Sequence, residues 1–154
     1  MLTARQLWRS QKTPTAENNL DLVLCLNARL PVQHWRCSFF FTGAPDSTLL
    51  ELTSGRFPAK FIPGKTHPVF VLKKLPDNTG ARVCPCSTKK PFKGIHCRYI
   101  GDECHLEPTG YRVKKSYLIE KIQFNIPGPT AYQLSFKGEV PAECIKDENL
   151  SKQR

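Results

Sequence analysis

The stretch from His67 to Lys90, HPVFVLKKLPDNTGARVCPCSTKK, decides how the rest of the chain is read. Pro68-Val69-Phe70-Val71-Leu72 is β-branched and aromatic, the composition that suits a pleated, half-buried strand. Pro76-Asp77-Asn78-Thr79-Gly80 then supplies turn chemistry, with a fixed φ, side chains that cap their own backbone, and a glycine free to take positive φ. Residues 81–86 make a second strand that runs into Ser87-Thr88-Lys89-Lys90. An antiparallel hairpin returns its two ends to one place. His67 is therefore expected near two hydroxyls and two ammonium groups, a set that handles phosphate.

The charge of the chain is concentrated around this hairpin. The formal net charge is +10 over 154 residues, and residues 55–121 hold 14 Lys/Arg against 5 Asp/Glu, a net of +9. The flanks are balanced, with 5 against 4 before this segment and 4 against 4 after it. A basic segment of this kind favours a polyanionic partner, because each phosphate neutralised releases counterions. The aromatics interleaved with it (Phe57, Phe61, Phe92, Tyr99, Tyr111 and Tyr117) suit either a core or the stacking of unpaired bases. No run approaches the ~20 apolar residues of a membrane span, and residues 20–26 are interrupted by Asp21. The expectation is a soluble, cytoplasmic protein without a membrane partner.

Seven cysteines, an odd number, fit no disulfide framework of a small secreted domain. Cys84, Cys86, Cys97 and Cys104, next to His105, raise a zinc alternative without a paired CxxC knuckle. Against it stands the reading of buried free thiols as small hydrophobes. No cofactor is expected.

Elsewhere the pattern predicts a short helix over residues 2–10, an apolar segment over 20–30 and a strand over 33–41 with Trp35 and three phenylalanines. Further strands are predicted over residues 95–100, 116–124 and 132–136. A C-terminal helix over 142–150 follows Pro141. This organises the chain into an extension of uncertain order (1–54), a barrel domain (55–145) and a tail (146–154). Many short strands with little helix suggest a small barrel or strongly bent sheet.

Several of these pieces, in order, resemble the MazF/PemK family of toxin endoribonucleases. Pro63-Gly64-Lys65-Thr66 is a basic, glycine-containing loop before a strand that opens His67-Pro68. A second strand ends in Ser87-Thr88, and residues 116–122 match a later strand. The resemblance covers roughly residues 55–125. It implies a mainly β fold, a small SH3-like barrel with short added helices, and metal-independent cleavage of single-stranded RNA by a homodimer neutralised by an acidic antitoxin protein. Carried over position by position, His67, Ser87 and Thr88 are the catalytic candidates. Arg56, Lys65, Lys89, Lys90 and Arg98 are the candidate RNA contacts. Where the family most often carries arginine this chain carries His67, which replaces a permanent cation with a titratable group. The competing readings are a non-catalytic nucleic-acid-binding module on the same barrel and the zinc-stabilised interaction domain. Asp102 and Glu103 stand as loop acids able to serve as a base, and Lys114-Lys115 as an exposed charge pair.

Overall fold

The computed structural model describes residues 29–57, 64–90 and 97–147. The expected helix over 2–10 and most of the apolar segment over 20–30 lie outside them, as do Phe61 and Phe92.

The hairpin forms as expected. Strand β2 (Thr66–Lys74) pairs antiparallel with β3 (Gly80–Ser87), in the register Val69↔Pro85, Phe70↔Cys84 and Val71↔Val83. The turn differs in detail. A 3-10 turn spans Pro76–Asn78, and Asp77, at φ 58°, takes the left-handed conformation expected of the glycine. Gly80 is required for another reason: a Cβ there would lie 2.6 Å from the carbonyl oxygen of Ile126 on the neighbouring strand. Only a residue without a side chain permits that approach.

Two further strands share the other edge of β3. Its first half pairs with β8 (Phe124–Pro127), and its last two residues pair with β7 (Ser116–Leu118). Outward from β7 come β4 (Arg98–Ile100) and β10 (Ile145–Asp147); outward from β2 come β1 (Phe39–Pro45) and β9 (Ser135–Glu139). A small separate pair, β5 (Cys104–His105) with β6 (Arg112–Val113), flanks the sheet. The result is a mainly β molecule whose antiparallel sheet curls into a half-barrel. Among the described residues two short helices, α1 (Asp46–Leu52) and α2 (Gly128–Tyr132), accompany it.

The sheet is buried on both faces, which explains why Phe39-Phe40-Phe41 is apolar without alternation. Phe39 and Phe41 join Trp35, Val69, Val71 and Phe136 in one core; Phe40 joins Phe70, Cys84, Ile100 and Leu118 in the other. Trp35 is fully buried and donates its indole N–H to the carbonyl of Leu30 at 2.7 Å. The charge boundary near residue 54 is consequently not a structural one. β1 and α1 precede it, and β1 pairs with both β2 and β9. Residues 146 and 147 likewise belong to β10 rather than to a tail.

Four element predictions are corrected. The strand expected over residues 33–41 begins only at Phe39, because a 3-10 turn spans Val32–His34 and Ser38, at φ 72°, turns the chain into β1. Residues 116–124 are not one strand: a 3-10 turn at Glu120–Ile122 separates β7 from β8, because the two flank different halves of β3. Proline and glycine after β8 start α2 rather than simply breaking the chain, so the following strand begins only at Ser135. After Pro141 a single 3-10 turn (Ala142–Cys144) leads into β10, whose pairing with β4 replaces the start of the expected helix. No helix among the described residues is long and apolar enough to cross a membrane.

Candidate active site around His67

Alternation along β2 sends His67, Val69 and Val71 to one face and Pro68, Phe70 and Leu72 to the other. On the first face β1 lies alongside, with Ala44 paired to His67, and runs straight into α1. A bulge between Phe41 and Ala44, with Gly43 at φ 92°, turns the chain so that Asp46 opens α1 beside β2. The backbone N–H of Asp46 donates to the carbonyl of Lys65 at 3.1 Å, which clamps the start of the helix to the entrance of the strand.

This places the Asp46 carboxylate against the imidazole, with Oδ1 2.6 Å from Nδ1 of His67. Asp46 is 5% exposed, and its Oδ2 has no hydrogen-bond partner among the described residues. The ring of Phe57 meets the imidazole edge-on, 5.0 Å between centroids. Phe57 is itself held by its N–H on Thr53 Oγ1 at 3.0 Å, while that hydroxyl donates to the carbonyl of Leu49. The imidazole is thus fixed by a carboxylate on Nδ1 and by a ring on its flank. In the neutral form a carboxylate on Nδ1 holds the proton there and leaves Nε2 as the basic nitrogen. A carboxylate–histidine pair of this geometry can accept a proton from a substrate hydroxyl.

The hydroxyl pair divides between the faces. The pairing of β2 with β3 ends at Val69↔Pro85, and alternation from that pair puts Ser87 on the same face of the sheet as His67. Ser87 Oγ accepts the backbone N–H of Lys89 at 3.2 Å. Thr88 is exposed and lines a pocket of about 230 Å³ on the opposite face, with Pro68, Phe40, Tyr111 and Lys114.

Among the expected phosphate contacts, Lys65 is exposed and directly precedes β2. Arg56 is exposed next to Phe57, its guanidinium donating to the carbonyls of Thr53 (3.1 Å) and Gln123 (3.4 Å). Lys89 is exposed beyond Ser87, and Lys90 is half-buried. Arg98 is committed elsewhere. It grips Glu120 through two hydrogen bonds, at 2.7 and 3.0 Å, which raise the guanidinium above its ordinary range and offset its charge locally.

The acid at the site is Asp46, rather than the loop acids Asp102 and Glu103. Those two residues follow β4, with β7 and β3 between β4 and β2. Asp102 Oδ1 accepts the N–H groups of Glu103 and Lys115, fixing a turn. The only local signal for Asp46 was an acid after proline at the head of an apolar helical segment, a common way to begin a helix.

The cysteines do not gather into the zinc set. Cys104 is joined to Cys144 in a disulfide between β5 and the turn before β10. Cys84 and Cys86 share the second core, and burial, with a hydrogen bond to Cys86, pushes the Cys84 thiol well above its ordinary value. Among the described residues no group of three or more His, Cys, Asp or Glu side chains stands in metal-holding geometry. His105 is exposed on β5 opposite Arg112.

No family model, curated protein or solved structure matches this chain.

Proposed function

We propose that the protein is a metal-independent endoribonuclease that cuts single-stranded RNA. The observation that carries this reading is the His67–Asp46 pair at 2.6 Å, on the strand entrance of a segment with a net charge of +9. RNA cleavage by its own 2′-hydroxyl needs a base, positive charge at the phosphorane and a proton for the leaving 5′-oxygen. His67 Nε2 takes the 2′-hydroxyl proton, and the 2′-oxygen then attacks phosphorus as the P–O5′ bond breaks. The products are a 2′,3′-cyclic phosphate and a 5′-hydroxyl, which receives the proton held on His67. Asp46 holds the ring and its tautomer, Ser87 donates to a phosphoryl oxygen, and Lys65, Arg56 and Lys89 supply fixed charge.

The curled half-barrel is compatible with the SH3-like barrel of the MazF/PemK toxins, and the same basic surface suits a homodimer blocked by an acidic antitoxin. The test is a labelled RNA pool incubated with the protein in EDTA. Cleavage is expected from wild type and its loss from His67→Ala and Ser87→Ala; a pool left intact by pure, antitoxin-free wild type sinks the catalytic reading.

A further inference from the structure

Beyond Ser87 the cross-strand pairing continues outward over three strands. Ser87 pairs with Tyr117 on β7, Tyr117 with Tyr99 on β4, and Tyr99 with Lys146 on β10. The alternate pairs, Cys86 with Leu118 and Ile100 with Ile145, pack into the second core, so the tyrosine row occupies the other face. It is the face of Ser87, and by alternation along β2 and β3 that of His67.

Both tyrosines are half-buried, whereas the phenylalanines of β1 are sealed in the core. Their rings stand 5.9 Å apart at an angle of 52°. Lys115 lies over both, its Nζ 4.7 Å from the Tyr99 centroid and 5.3 Å from that of Tyr117. A base stacked on an aromatic side chain is held more strongly than a cation resting on partly exposed rings. An arriving base therefore displaces the lysine, whose ammonium remains within reach of the adjoining phosphate.

From this row we propose a stacking platform on Tyr99 and Tyr117 for unpaired bases of a single-stranded nucleic acid, with Lys115 and Lys89 taking its phosphates. The choice of occupant rests on the RNA reading above and on charge, since all four residues fall within the segment of net charge +9. An acidic peptide would satisfy the lysines but has no use for two paired rings. The platform lengthens the site from one scissile phosphate to several nucleotides on one side of it.

The experiment is anisotropy of a labelled ten-nucleotide deoxyoligonucleotide, beside an abasic strand of equal length, with the full chain. The deoxy strand lacks the 2′-hydroxyl and stays uncut, so binding is read apart from cleavage. Wild type is expected to bind the base-bearing strand at least about tenfold tighter than the abasic one. Tyr99→Ala and Tyr117→Ala each weaken the base-bearing strand by about 5- to 150-fold, and neither alters abasic binding. Tyr→Phe variants keep the affinity of wild type. Tyr99→Leu and Tyr117→Leu retain apolar bulk without a ring, so they repeat the loss in variants better able to fold. Equal binding of the two strands, leucine variants that bind like wild type, or tyrosine-dependent binding of polyglutamate in preference to the oligonucleotide overturns the platform. Tyrosine-dependent binding by a protein that cuts no RNA supports the platform and removes only the catalytic reading. Cleavage with tyrosine-independent binding does the reverse.

Discussion

Replacing Asp46 by asparagine separates a catalytic role of the His67 pair from a structural one. Two terms of similar size oppose each other at this residue. The bond from His67 Nδ1 to a buried carboxylate is worth about 1.5–3 kcal/mol, while a buried oxygen without a partner costs about 1–3 kcal/mol. Asp46 thus gives the fold little net stability, and asparagine, of the same shape and still offering an oxygen, changes ΔG of unfolding by less than about 1 kcal/mol. The chemistry is less tolerant. A carboxamide can turn its NH2 towards Nδ1, which moves the imidazole proton to Nε2 and removes the base, and it carries no charge to balance the imidazolium formed in the reaction. General acid–base catalysis contributes about 10²–10⁴-fold, so single-turnover cleavage of a labelled RNA in EDTA falls by roughly that factor at neutral pH. Urea melts read stability on the same samples. An Asp46→Asn protein that loses 3 kcal/mol or more, yet cuts at the wild-type rate when folded, would falsify the catalytic assignment.

Three other outcomes follow from the packing and charge. Gly138→Ala should cost at least about 2 kcal/mol in a urea melt, because φ is +130° there and a Cβ would lie 2.8 Å from both the Glu107 carbonyl oxygen and Leu106 Cβ; a shift under 0.5 kcal/mol contradicts the close approach. Reducing Cys104–Cys144, 40 residues apart, should lower stability by about 4 kcal/mol on chain-entropy grounds. Cys104→Ser/Cys144→Ser should then melt as the reduced wild type does, and show no response to dithiothreitol. Lys115→Ala should reduce the salt slope of RNA binding by about one counterion, while Arg98→Ala, whose cation is already paired with Glu120, should leave it unchanged; equal slopes for the two variants refute that distinction.

The parts legible in the sequence are those with short-range causes. β2, its turn and β3 lie within one stretch of chain, and their β-branched and aromatic residues favour strands wherever they are placed. The break after β7 was not legible, because nothing local in Ser116–Leu118 or the residues after it tells which half of β3 each part flanks. Trp35 and the three phenylalanines read as one strand, yet only the phenylalanines belong to β1, and their division between two opposed cores needed a sheet covered on both sides.

For the site, local pattern alone put His67 at a strand entrance, Ser87 at the end of the returning strand, and the excess of positive charge around both. Periodicity, turn chemistry and charge density are local or additive, so they are legible before the chain is folded. Tertiary structure alone decided that Asp46, 21 residues from His67, is its partner, that Glu120 occupies Arg98, and that Tyr117 and Tyr99 continue the row from Ser87. Those contacts depend on strand order and register, which come from burying two cores at once, and a shift of one residue would turn each of these side chains to the other face.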